Sequence, residues 1–166
     1  MITAEYRKKL VAGLEYQDFV VECLYAAGLP IISYSSKRYQ TLIGENKAGL
    51  EIKFDRRFRT THNFWIETAE KSRPDNPRWV PSGIFRDDNT WLYLMGDYVE
   101  IFVFAKRQLR WLYEWDTDGR PHYPRKDIPT SRGFLLPVDD ARKRWAVHVL
   151  ETAPLGVTSP QSTKEG

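Results

Sequence analysis

Apolar residues first recur at helical spacing: Leu14, Val21 and Leu24, with Phe19 and Val20 beside them, form one side of residues 14–27. Gly28 and Pro30 close this predicted helix. Glu15, Asp18 and Glu22 fall at i, i+3 and i+7 and share an acidic stripe on its polar side. The period then shortens to two. Residues 31–34 and 39–43 read as strands, 44–49 as a turn, and residues 50–55 alternate strictly. Leu50, Ile52 and Phe54 point one way; Glu51, Lys53 and Asp55 point the other. An Arg-rich turn leads to a further strand at 63–71, with Trp65, Glu67, Ala69 and Lys71 on one face, and it is expected to lie beside the Glu51 strand.

Pro74, Pro77 and Pro81 break the chain into a loop, and Ser82-Gly83 marks a helix start with Ser82 as its N-cap. Residues 91–95 and 98–104 form a hairpin around Gly96-Asp97. Residues 106–114 read as a helix with Leu109, Leu112 and Tyr113 inward. A short strand at 134–138 and a closing helix at 139–151, capped by Asp139 or Asp140, complete the pattern. Strands crowd the middle and a helix stands at each end, which predicts an α/β sandwich around a mixed sheet.

Composition places the chain among folded proteins: of 166 residues, 42% are hydrophobic and 14% aromatic. One domain over 1–152 is expected, followed by a flexible tail at 153–166 that holds Pro154, Gly156, Ser159, Pro160 and Ser162. The first residues lack a secretory pattern, no apolar run approaches a membrane span, and Cys23 stands alone, so a cytoplasmic protein with no membrane partner is expected. The net charge is +3, and arginines gather at Arg56, Arg57 and Arg59, at Arg73 and Arg78, and near Arg142 and Arg144.

Two carboxylates and a lysine on neighbouring strands are the combination with chemical meaning. A divalent cation such as Mg²⁺ takes oxygen ligands and leaves positions for water and a substrate phosphate. It lowers the pKa of an attacking water and neutralises phosphate charge, while a nearby Lys adds a compact positive charge. Glu51 and Lys53 share a strand face, and Glu67 is expected to join them. His62, His122, His148 and Cys23 are too scattered for a zinc site, and no Gly-rich phosphate loop occurs.

This order, a helix with an acid, a strand with Glu51-Ile52-Lys53 and a later strand with Glu67, resembles the PD-(D/E)xK nuclease superfamily over about residues 14–113. The resemblance implies a restriction-endonuclease-like αβββαβ core and phosphodiester hydrolysis in DNA that depends on Mg²⁺ (or Mn²⁺), by an endonuclease. Two registers of its motif fit. In one, Glu51-Ile52-Lys53 is the (D/E)xK triplet and Glu45 the preceding acid. In the other, Glu51 is the first acid and Glu67-Thr68-Ala69 the triplet, with Lys53 or Lys71 replacing the lysine missing at Ala69. The second is preferred, because a separation of only six positions from Glu45 to Glu51 leaves a cramped hairpin. Neither has Pro-Asp before its first acid.

On this resemblance the catalytic residues are Glu51, Lys53, Glu67 and Lys71, and the metal ligands Glu51, Glu67 and Glu15, with Asp18 or Glu22 in place of Glu15 as a reserve. Arg56, Arg57 and Arg59 would grip the DNA backbone and Trp65 would stack on a base. Cutting both strands of a duplex calls for two active sites and hence a homodimer. Two other classes compete: a catalytically inactive nucleic-acid- or partner-binding module on the same fold, and a glycosidase with paired acids. Lysine and arginine beside the acids suit phosphate better than a neutral sugar.

Overall fold

The structure, a computed structural model, describes residues 4–33, 37–117 and 119–152. The expected tail at 153–166 lies outside the described residues, as does Tyr34 of the expected strand at 31–34. Helix α1 spans Ala4–Ala26, ten residues further towards the N-terminus than the apolar pattern indicated. Its buried stripe is Ala12, Tyr16, Val20 and Leu24, each one turn beyond the last. Leu14, expected in that stripe, is 51% exposed, because two residues from Tyr16 is more than half a turn round the helix.

Strand β1 is Leu50–Phe54; β2 is Asn63–Glu70, preceded by the single-turn helix α3 at Phe58–Thr61. Helix α2 at Lys37–Leu42 occupies the segment whose pattern suggested a strand at 39–43, and nearby Ser33 makes an isolated bridge to Asn46. After β3 (Val80–Pro81) and a 3-10 turn at Gly83–Phe85 come β4 (Leu92–Gly96), β5 (Glu100–Ala105) and α4 (Lys106–Glu114). A small ribbon, β6 (Asp116–Thr117) with β7 (Arg120–Pro121), leads to β8 (Arg125–Ile128) and β9 (Ser131–Pro137). The expected closing helix is short: α5 (Val138–Asp140) winds on as a π turn through Trp145, and His148–Glu151 is strand β10, paired with β5. Pro137, not Asp139 or Asp140, stands at the start of that helix.

The chain is thus mixed α/β, but its strands divide between two four-stranded sheets instead of joining in one. The first runs β1-β4-β5-β10 and is mixed, with β1 parallel to β4. The second runs β3-β2-β9-β8. A parallel pair needs a long crossover, and β2 and β3 lie in the one that separates β1 from β4. One face of the first sheet, with Leu50, Ile52, Leu94 and Ile101, packs on the stripe of α1. The other face meets the second sheet through Tyr93, Met95, Phe102 and Phe104 against Phe64, Ile66, Phe134 and Leu136, with Leu109 and Leu112 of α4 filling in. Phe64 meets Phe102 edge-on with ring centroids 4.9 Å apart. No helix among the described residues is long and apolar enough to cross a membrane.

Candidate active site

Alternation along β1 sends Leu50 and Ile52 to α1 and turns Glu51 towards the space between the sheets, beside its register partner Tyr93. Glu51 is only 2% exposed; Lys53, next on the same face, is 44% exposed. Lys53 Nζ donates to Glu51 Oε1 at 2.5 Å. The other oxygen, Oε2, is buried with no hydrogen-bond partner. Leaving a buried acceptor unpaired costs on the order of 1–3 kcal/mol, more for a charged group. A buried carboxylate oxygen left without a partner is stabilised by any group that brings positive charge to it.

Glu45 arrives from the segment before β1. No hairpin is needed, because side chains replace a neighbouring strand. Asn46, fully buried, accepts from Leu50 N at 3.0 Å and donates to Leu50 O at 2.7 Å. Glu45 Oε2 accepts from Ile52 N at 3.2 Å and from Gln17 Nε2 of α1 at 3.2 Å. The free edge of β1 is therefore taken by Glu45 and Asn46, and β2 has no place there. This corrects the expectation that the Glu51 and Glu67 strands are neighbours: β2 pairs with β9 and β3. Gly49 lets the turn close. Its φ is +70°, and a Cβ there would lie 2.5 Å from Asn89 O. Asn89 Nδ2 in turn donates to Asn46 O at 2.8 Å.

Burial, then the charge of Glu51, pushes the Glu45 carboxyl up to about 7; Lys53, the Ile52 amide and Arg86 oppose the rise. Burial would lower the Lys53 ammonium, but Glu51 and Glu45 outweigh it and hold the group above its ordinary value. Burial, then Glu51, also raises the Tyr93 hydroxyl. Arg86 stands within Coulombic reach of Glu45, Lys53 and Tyr93. Its backbone carbonyl accepts from Lys106 Nζ at 2.8 Å, and Lys106 is ion-paired to Asp88 at 2.7 Å with both side chains buried. That pair fixes the loop from which Arg86 and Asn89 act.

Glu67 is held elsewhere. Ser82 Oγ donates to its Oε1 at 2.6 Å, and Ser131 Oγ to its Oε2 at 2.7 Å. Ser82 therefore ties β2 to the 3-10 turn and makes no side-chain cap bond. Gly83 is required there, since a Cβ at its φ of +50° would lie 2.2 Å from Glu67 O. Glu67 lines the same cavity of about 700 Å³ as Glu45 and Lys53, across from them. Trp65 lines it too, with its indole N–H given to Ser131 Oγ at 3.2 Å. Lys71 points away, donating to Pro74 O at 2.7 Å and stacking on Trp79.

Glu15, Asp18 and Glu22 lie on the exposed side of α1; Glu15 borders a separate groove with Arg56. The α1 residue that reaches Glu45 is Gln17. Arg56 and Arg57 are exposed and line the cavity, whereas Arg59 is tied to Asp97 at 2.5 Å and Glu100 at 2.9 Å. Sequence reasoning missed Asn46, Gln17, Arg86 and Tyr93; its one available signal was a polar Glu-Asn pair between Gly44 and Gly49.

Among the described residues no three His, Cys, Asp or Glu side chains cluster with metal-ligand spacing. Two carboxylates, one with a buried open oxygen, fit Mg²⁺ or Mn²⁺, since Mg²⁺ is commonly bound through one or two carboxylates with water and phosphate completing its shell. Comparison with family models, curated proteins and solved structures gives no match.

Proposed function

We propose that the chain is a Mg²⁺- (or Mn²⁺-) dependent deoxyribonuclease of the PD-(D/E)xK type, with Glu45 as the first acid and Glu51-Ile52-Lys53 as the (D/E)xK strand. The observation that carries this reading is the grouping of Glu45, Glu51 and Lys53: Lys53 and Glu45 line one cavity, and Glu51, buried beneath it, pairs with Lys53 and leaves its Oε2 without a partner. The architecture is compatible with the αβββαβ core of that superfamily: α1, β1, β4, β5, α4 and β10 follow in this chain order, and the four strands form the first sheet.

In this reading Glu45 and Glu51 hold the cation. The bound ion would lower the pKa of a water and neutralise charge on the scissile phosphate. Lys53 presents its ammonium to the same phosphate, kept protonated by the two carboxylates. Gln17 and the Ile52 amide fix one oxygen of Glu45, which orients the carboxylate before substrate arrives. Arg86, half-buried and within Coulombic reach of Glu45 and Lys53, adds positive charge near the acids. Arg56 and Arg57 at the cavity rim face the DNA backbone. Glu67, bonded by two serines, braces the second sheet; Lys71 and Glu15 take no part.

Nicking of supercoiled plasmid with Mg²⁺ tests this. Wild type is expected to cut, Glu51→Gln and Lys53→Ala to lose about 100-fold or more in rate, and Lys71→Ala and Glu15→Ala to stay within about twofold. If Glu51→Gln cuts like wild type, the reading fails. Salt-sensitive DNA binding by a wild type that never cuts would instead mark an inactive binding module.

A further inference from the structure

The stripe of α1 that packs on the first sheet, Ala12-Tyr16-Val20-Leu24, continues one turn back to Lys8. There it stands beside Arg56, just past the C-terminal end of β1, and a groove of about 590 Å³ opens between them. Its charged walls are Arg7, Lys8 and Arg56 against the single carboxylate of Glu15. Arg7 and Lys8 are exposed and make no ion pair among the described residues, while Arg56 only covers the Phe54 ring at 5.0 Å. The neighbouring Lys9 is already paired with Glu5. Arg56 and Ala12 line both this groove and the cavity that holds Glu45 and Lys53, so the two concavities adjoin.

The geometry points to a phosphodiester track: Arg7, Lys8 and Arg56 seat the backbone of a DNA strand that runs on from the active-site cavity along α1. The inference rests on the nuclease reading for its substrate class and adds where the flanking strand lies. Three cations facing one acid in an open groove match a polyanion. A free phosphate would need a closed cradle of donors, which an open groove does not provide. Lys8 lies nine residues from Gln17, the residue that touches Glu45. Nine residues are roughly 13 Å of helix axis, or about four nucleotide steps at ~3.4 Å per strand. The track would therefore hold phosphates two to four nucleotides (roughly, on that spacing) from the scissile one, too far for a part in the chemistry.

Binding of a labelled duplex across a salt series, with cleavage kinetics in Mg²⁺, tests this on wild type, the double variant Arg7→Ala/Lys8→Ala and the control Arg120→Ala/Lys126→Ala. Losing two phosphate contacts is expected to flatten the log–log salt dependence by about 2. It should also raise KM about tenfold near 0.1 M salt and leave kcat at saturating DNA unchanged; the control should match wild type. An unchanged slope in the Arg7/Lys8 variant overturns the track, as does a fall in kcat with KM unchanged, or an equal loss in the control. If the slope changes as expected but wild type cuts nothing, the track stands and the nuclease reading falls. If wild type cuts and the slope does not move, the reverse holds.

Discussion

Burying Glu51 with one oxygen on Lys53 and the other unpaired opposes folding, and placing Glu45 next to it adds like-charge repulsion. The molecule relieves this by keeping Glu45 protonated to about pH 7, against an ordinary 4.5 for a carboxyl. The sign of the pH effect follows. Between these values the folded chain holds a proton that the unfolded chain has released, so stability falls as pH rises. The contribution of Glu45 is fully present below about 4.5 and lost as pH passes 7. Urea midpoints measured from about pH 5 to about pH 8 should decline in wild type and decline less in Glu45→Gln. Parallel curves for the two proteins would remove Glu45 from this role. Mg²⁺ should recover stability at the alkaline end, because a cation offsets the repulsion that protonation otherwise removes.

Among the elements, β1 is the one on which the site depends, and its outer edge is closed by side chains. Asn46 gives Leu50 both a donor and an acceptor, as a paired strand would. Asn46→Ala leaves two buried backbone groups of Leu50 without partners, an expected loss of about 2–4 kcal/mol, measurable by chemical denaturation. A loss below about 0.5 kcal/mol, the level of an ordinary surface change, would contradict the latch. Elements with a clean period were legible in the sequence: β1, β2, the β4–β5 hairpin and α4 lie within a few residues of the positions their alternation or helical spacing gives. Two segments were not. Residues 39–43 alternate too briefly to tell a helix turn from a strand. At 139–151 the Val147-His148-Val149-Leu150 run, which is β-prone, wins against the helical start because β5 offers it an edge.

At the scale of the molecule, the decisive fact is that β1 and β2 belong to different sheets and still face one cavity. Periodicity gives the face on which Glu51, Lys53 and Glu67 stand, but not which strand edges are open. The side chains that close the edge of β1 come from an apparent loop. For the same reason the pairing of Glu51 with Lys53 could be read from spacing of two, whereas the choice of Glu45 over Glu67 as the partner acid could not. The loop that holds Arg86 and Asn89 is fixed by the buried Asp88–Lys106 pair, 18 residues apart in sequence and so invisible to any local pattern.

Calorimetric titration of the chain with Mg²⁺ tests most directly whether Glu45 and Glu51 form a cation site. Wild type and Glu15→Gln are expected to bind one ion with the same affinity, and Glu51→Gln to lose at least about tenfold. Equal binding by wild type and Glu51→Gln would contradict the account.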